Sequence, residues 1–367
     1  MSALLTAPGR HRSELDTPVL LVDLDVMESN IARIAETCRK HGVQWRPHIK
    51  GMKVPAIAHK LLDAGAIGVT CAKLDEAELM AASGIKDILI ANQVVGPQKI
   101  ARLAGVARHA DIIVTVDDPS NVEALEGACL EFGSKLRAVI EVDCGLHRAG
   151  VQPGEDCVRL AQQVARCTSL EFAGLMTWEG HAAPIKDTAR KVSVVQESLE
   201  KLTRSAELCR SAGLQPKIVS CGGTGTYWMS VKQPGITEIQ AGGGIFSDVR
   251  YATQFGLDHP YALTVLSTVT SRPTATRIIC DAGKKSLSVD GALPVPIGMD
   301  DQYELRMSAE HAVIELAAPN LSIKVGDVLV FVVGYSDTTV NLHDVMVGMR
   351  DDTVEVVWRI LGRGHIH

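Results

Sequence analysis

The chain has 367 residues, 46% of them hydrophobic and 22% charged, which supplies a sizeable core and excludes a disordered chain. A net charge of −6 without any long basic run excludes a nucleic-acid footprint, and no apolar run reaches the roughly 18 residues that a membrane span needs. The first fifteen residues hold no apolar signal core, and nine scattered cysteines form no C-x-x-C pair, so reduced thiols and a cytoplasmic protein are expected.

In chain order, an extended segment, Pro18–Leu24, comes first. A helix follows over Met27–His41, with Ile31, Ile34, Ala35 and Cys38 on one face and Asp25 as its expected N-cap. Eight strand-like runs come next: Gln44–His48, Ile67–Cys71, Asp87–Ala91, Asp111–Val116, Leu136–Asp143, Leu170–Thr177, Lys217–Cys221 and Ile236–Ala241. Helical stretches separate them, one capped by Asp118 and another running over Thr188–Ala212. Strand and helix alternating eight times predict a (β/α)8 TIM-type barrel, with an open doubly wound sheet as the alternative.

After Tyr251 the pattern changes to strands and turns: Ala262–Thr270, Arg277–Asp281, Val328–Val333, Thr339–Leu342 and Val354–Ile360. The expected organisation is therefore a barrel over residues 25–251 and a β domain built from residues 1–24 and 252–367, which recruits the surplus N-terminal strand.

Catalytic groups of such barrels gather at the C-terminal ends of the strands. Lys50 lies there, just past the first strand, where a partly desolvated amine can form a Schiff base. Lys53 and Lys73 are rivals for that role. Two glycine-rich turns follow strands seven and eight: Gly222-Gly223-Thr224-Gly225 and Gly242-Gly243-Gly244. Barrels commonly bind phosphate at these two positions, and glycine lets backbone N–H groups approach phosphate oxygens closely. Each turn on its own also reads as a tight turn with no ligand. A reactive lysine and a phosphate cradle on one rim point to pyridoxal 5′-phosphate, whose aldehyde and phosphate they match. Arg148 is positioned for the cofactor's phenolate oxygen and His48 for its ring. Trp178, Glu179 and His181, beyond strand six, are expected on the substrate side. For His48 and Arg148 a purely structural role stays open.

Several segments together carry a resemblance that spans almost the whole chain: Asp16-Thr17-Pro18, Arg46-Pro47-His48-Ile49-Lys50, Glu141-Val142-Asp143-Cys144-Gly145 with Arg148-Ala149-Gly150, Gly222-Gly223-Thr224-Gly225, Gln240-Ala241-Gly242, and Thr339-Val340-Asn341-Leu342-His343-Asp344. In them the chain resembles the fold-type III pyridoxal-phosphate enzymes, specifically the D-threonine aldolase and D-serine dehydratase group related to the alanine racemase barrel. The resemblance implies that Lys50 is the Schiff-base lysine, that Arg148 lies near the cofactor oxygen, that the glycine turns bind phosphate, and that the protein is a homodimer.

The chain departs from the family at one important place. Family members hold a metal with a His-x-Asp or His-x-Cys pair just before Asn-Leu-His-Asp, whereas this chain has Tyr335-Ser336-Asp337. Asp337 is thereby left as the single carboxylate for a Mg2+ or Mn2+ ion, and a zinc site is disfavoured for want of nitrogen or sulfur donors. The activity implied is retro-aldol cleavage of a D-3-hydroxy-amino acid to glycine and an aldehyde, with Tyr335 and Asp337 joining Lys50 as catalytic residues. Dehydration of the same substrates, racemisation using Lys50 and Tyr335 as opposed bases, and a non-catalytic cofactor carrier remain as alternatives.

Overall fold

In the computed structural model residues 7–299 and 302–367 are described. The portion of the expected N-terminal β segment at residues 1–6, and residues 300–301 of the expected C-terminal domain, lie outside the described residues. The chain folds as two units: Ala32–Lys50, Pro55–Gly242 and Gly364–His367 form one, and Met1–Ile31, Gly51–Val54 and Gly243–Arg363 form the other.

The strand β1 (Val19–Asp23) belongs to the second of these units. The first unit holds eight parallel strands: β2 (Gln44–Trp45), β3 (Val69–Cys71), β4 (Asp87–Gln93), β5 (Asp111–Val116), β6 (Leu136–Glu141), β7 (Leu170–Met176), β8 (Ile218–Cys221) and β9 (Glu238–Ile239). Each pairs with its sequence neighbour from β3 to β9, and β9 pairs with β2. Pro47 has no N–H to give to a ladder, so the first strand is cut short after Trp45. The ring nevertheless closes there. His48 bridges Thr70 in parallel, Ile67 N donates to the Trp45 carbonyl at 2.9 Å, and Thr70 N donates to the Pro47 carbonyl at 2.9 Å. A closed barrel, not an open sheet, is the result. Leu89, Ile113, Val139, Ala173, Met176 and Ile218, from five successive strands, fill a layer of side chains.

At the opposite rim the strands begin with charges. Arg46, 1% exposed, donates through Nε to both oxygens of Glu238 at 3.2 Å and through Nη1 to Asp87 Oδ1 at 2.7 Å. Arg137 joins Asp87 to Asp111, both at 2.7 Å. Asp87, Asp111 and Glu238 are the first residues of β4, β5 and β9, so this network ties strand starts together around the ring. Arg46 is therefore a structural member of the Arg46–Lys50 segment.

In the second unit β1 pairs antiparallel with β10 (Leu263–Ser271) and parallel with β16 (Val345–Arg350), the recruitment expected of the surplus strand. The sheet also contains β11 (Arg277–Cys280), β12 (Val295–Pro296), β13 (Tyr303–Met307), β14 (Ala312–Leu316), β15 (Val328–Val332) and β17 (Thr353–Arg359). Its main path runs β13-β14-β11-β10-β1-β16-β17, with β15 on β10 and β12 on β15. Leu15, Val19, Leu21, Leu266, Val347, Met349 and Val354 pack into one cluster behind it.

Two local expectations are corrected. Thr339–Leu342 was expected as a strand from its β-branched residues. It is helical instead: an α turn over Ser336–Thr339 runs into a 3-10 turn over Val340–Leu342, with Thr339 N donating to the Tyr335 carbonyl and Asn341 Nδ2 to that of Asp337, each at 3.1 Å. The first helix starts at Leu24, and Asp23, not Asp25, accepts from the Val26 N–H at 3.0 Å. Asp118 caps its helix as expected, accepting from Ser120 N and Asn121 N. All nine cysteines are free thiols, eight of them buried and Cys167 half-buried. Among the described residues no helix is long and apolar enough to cross a membrane.

Removing the Arg46 charge strands Glu238, itself 3% exposed, without its partner. Loss of one side of a buried pair costs about 3–5 kcal/mol. The Arg46→Met protein is expected to unfold in correspondingly less urea, and adding Glu238→Gln is expected to recover part of that loss. Equal midpoints for the wild type and Arg46→Met would show that the network is not a stabilising element.

Candidate active site

The residues at the C-terminal strand ends converge on Trp178, which follows β7. The Lys50 ammonium lies 5.8 Å from the centre of the Trp178 indole, and the Arg148 guanidinium 5.2 Å from it. The one indole thus attracts both cations through its quadrupole. Gly223 packs against the same ring, since a Cβ there would lie 2.6 Å from Trp178 Nε1. Trp178 brings Lys50, Arg148 and the strand-seven glycine turn to one place. The strand-eight turn joins them through Gly242, where a Cβ would run into the His48 carbonyl. His48 itself accepts from the Lys50 N–H through Nδ1, at 3.4 Å.

Arg148 is steered by acids that the sequence did not single out for this task. Its Nη2 donates to Glu141 Oε1 at 3.3 Å, and Glu141 is 4% exposed at the end of β6. Gln93 Nε2 donates to the other Glu141 oxygen at 2.6 Å and to Asp117 Oδ2 at 3.0 Å, while Asp117 also receives the Gly150 N–H at 2.9 Å. Gln93 and Glu141 end their strands, so strand-end position was the signal that marks them.

Glu179, expected on the substrate side, has no exposed surface. Its Oε1 accepts from the hydroxyls of Thr226 and Ser230, each at 2.6 Å, and its Oε2 from the Gly222 N–H at 3.2 Å. Three bonds to a buried carboxylate fix the shape of the turn from Gly222 to Thr226, and Gly222 adopts a left-handed φ of +80° within it. Thr224 is buried in that turn, next to Gly225. His181 is half-buried, with Nε2 3.3 Å from Ser198 Oγ, and burial lowers its pKa. Its Nδ1 finds no hydrogen-bond partner among the described residues. Lys73 precedes a helix, with its N–H on Glu76, and Lys53 is 5% exposed with a left-handed φ of 54°.

Tyr335 and Asp337 belong to the second unit. Tyr335 Oη donates to Asp337 Oδ2 at 2.9 Å, and Tyr251 Oη donates to Oδ1 at 3.4 Å. The two phenol rings meet edge to face at 5.8 Å, and Arg250 stacks on Tyr335 at 4.6 Å. Burial, then the charge of Asp337, pushes both phenols well above their ordinary pKa. Two glycines meet this cluster. A Cβ on Gly51, the residue after Lys50, would strike the Asp337 carboxylate, and one on Gly243, the residue after Gly242, would lie 2.5 Å from Tyr251 Oη. Gly244, in the same 3-10 turn as Gly243, is buried and accepts from the His259 ring through its carbonyl at 2.9 Å. Nothing in the sequence marks Tyr251 or Arg250, because their part depends on long-range folding.

These residues fit pyridoxal phosphate and do not fit a resident divalent ion. For the cofactor, two cations share one indole beside a glycine turn that tolerates no side chain. For the ion, both Asp337 oxygens already take phenol hydrogens. The neighbouring Asp248 is spent on Ser336 N and Oγ and on Tyr251 N. Among the described residues, no group of three His, Cys, Asp or Glu side chains assembles to hold a metal. His343 bonds the Ser286 carbonyl at 2.7 Å instead.

A barrel with a strand-end lysine, a glycine cradle and an appended β unit defines a class that the comparisons make specific. The alanine racemase N-terminal domain model matches residues 22–249, and a putative serine dehydratase domain model matches residues 262–349. The chain belongs to the family of alanine racemase-like barrels that carry this dehydratase-type C-terminal domain. It is 34% identical to a 3-hydroxy-D-aspartate aldolase of Paracoccus denitrificans, over 97% of this chain and 94% of that one. It is 35% identical to a D-threonine aldolase of an Arthrobacter species, over 97% and 95%. The crystal structure of D-threonine aldolase from Filomicrobium marinum superposes with a TM-score of 0.95 at 32% identity, covering 99% of this chain and all of that one.

The Glu179→Ala protein is expected to bind pyridoxal phosphate roughly 10- to 100-fold more weakly, from the loss of charge-assisted bonds worth about 1.5–3 kcal/mol. Absorbance titration of the apoprotein measures this, and an unchanged affinity would remove Glu179 from the cradle. A second expectation concerns pH. Burial, against three hydrogen bonds that favour the carboxylate, pushes Asp248 up to about 7. Between the unfolded value of about 3.9 and that value the folded chain holds the extra proton, so this group makes stability fall as pH rises from about 4 to about 7. Asp248→Asn should flatten that decline in thermal unfolding, and parallel profiles for the two proteins would contradict it.

Proposed function

We propose that the protein is a pyridoxal-phosphate-dependent lyase that cleaves a D-3-hydroxy-amino acid to glycine and an aldehyde. The observation that carries this is the placement of Lys50 and Arg148 on the single indole of Trp178, against the Gly223 turn. The names of its relatives, a 3-hydroxy-D-aspartate aldolase and a D-threonine aldolase, support the choice of substrate class.

In this reading Lys50 would hold the cofactor through its aldehyde. When bound, pyridoxal phosphate supplies a ring that takes up the electron pair released at Cα. Arg148, held by Glu141, orients the cofactor oxygen, and His48 lies beside Lys50 at the ring. Glu179 holds the Gly222–Thr226 turn, which with Gly242, Gly243 and Gly244 receives the phosphate. Trp178 excludes water from one side, and His181 is left to face the substrate. Tyr335 and Asp337 manage the proton of the 3-hydroxyl. The Mg2+ or Mn2+ ion that a lone Asp337 carboxylate suggests in the sequence is not part of this proposal. A homodimer and a cytoplasmic setting belong to it, the latter supported by nine free thiols.

The test is incubation with D-threonine, D-phenylserine and 3-hydroxy-D-aspartate, with assay of aldehyde and glycine. Lys50→Ala is expected to lose both the cofactor absorbance band and the activity. Keto acid and ammonia as products would select elimination instead, and loss of optical rotation without cleavage would select racemisation.

A further inference from the structure

We propose that Tyr335 and Asp337 form a hydrogen-bonded proton relay that replaces a divalent ion, so that the protein works without a resident metal. The proposal rests on the lyase reading above for its catalytic half; its ion-binding half stands alone.

The argument begins with the donor set. A divalent ion needs lone pairs from several oxygen, nitrogen or sulfur atoms. Asp337 is the acidic side chain in the Tyr335–Asp337 segment, and a phenol hydrogen is directed at each of its oxygens, from Tyr335 at 2.9 Å and from Tyr251 at 3.4 Å. Arg250, 4.6 Å from the centre of the Tyr335 ring, adds a positive charge beside the pair. The Tyr335 side chain therefore does more than vacate a histidine position. It supplies a donor that satisfies the carboxylate in place of a cation.

The same geometry sets out a proton path. Asp337 lies against Gly51 within the second unit. In the cleavage step the substrate O–H bond breaks and its proton passes to Tyr335 Oη, while the proton already on Tyr335 passes to Asp337 Oδ2. One O–H bond is broken and one formed at the phenol. The freed electron pair on the substrate oxygen becomes the C=O bond of the aldehyde, and the Cα–Cβ pair leaves with Cα. A proton later delivered to Cα of the product glycine matches the one taken, so the step consumes no oxidant, reductant or net proton.

The test uses the holoenzyme and three variants. Wild type, Tyr335→His, Tyr335→Phe and Asp337→Asn are dialysed against Mn2+ and then against buffer, and bound metal is counted by mass spectrometry. Tyr335→His, which pairs a ring nitrogen with Asp337, is expected to retain one ion per chain, and the other three none. A stoichiometric ion in the wild type that is lost in Asp337→Asn would overturn the proposal. In parallel, EDTA should leave wild-type aldehyde production unchanged. Tyr335→Phe should lower kcat by about 10²- to 10⁴-fold, the usual loss of a general acid–base group, with the cofactor band retained as proof of folding. EDTA inactivation, or full activity in Tyr335→Phe, would also overturn it. If no 3-hydroxy-amino acid yields aldehyde, the lyase reading fails separately, and the metal counts still decide the first half.

Discussion

Two cations on one indole are an unusual load for an aromatic ring, and the chemistry of the barrel rim depends on that arrangement. Each cation alone gains of the order of 0.5–1 kcal/mol from such a contact at an exposed site. Glu141 takes up part of the Arg148 charge. Trp178 gathers Lys50 and Arg148 at one ring.

The two rims of the barrel divide their labour by the kind of charge they carry. Strand starts carry fully mutual ion pairs, with Arg46 and Arg137 neutralised by Glu238, Asp87 and Asp111. At the strand ends Lys50 and Arg148 gather at Trp178, and Arg148 shares Glu141 with Gln93. The network at the starts serves the fold, whereas strand ends are where a barrel places its chemistry. Arg46 and Lys50 stand four residues apart in one segment and fall on opposite sides of this division.

Much of this was legible in the sequence. Eight β-branched runs separated by helical spacing predict a barrel because a parallel strand needs a crossover, and a crossover long enough to be a helix leaves its period in the sequence. Lys50, Arg148 and the glycine turns were legible because their types are restricted at strand ends. The strand read at Thr339–Leu342 failed where local propensity met a stronger demand, since the turn it replaces sets Asp337 against Gly51. Glu179 was placed on the right strand end and given the wrong neighbours. Whether a side chain after a strand turns outward to a substrate or inward under the next turn depends on Thr226 and Ser230, some 50 residues on. Tyr251 and Arg250 were invisible for the same reason, as their only signal is three-dimensional.

The thiols have a practical side. Burial pushes Cys38, Cys157 and Cys280 up to about 12 and Cys144 and Cys209 to about 11, so almost none of them is thiolate at neutral pH. Cys167, on the outside of the barrel wall where a helix ends, is the least enclosed of the nine. A maleimide dye offered to the native protein is therefore expected to react first at Cys167, remote in sequence from Lys50 and from the glycine turns. That gives the molecule a built-in attachment point for a fluorophore or a surface tether, with no cysteine to engineer in or out.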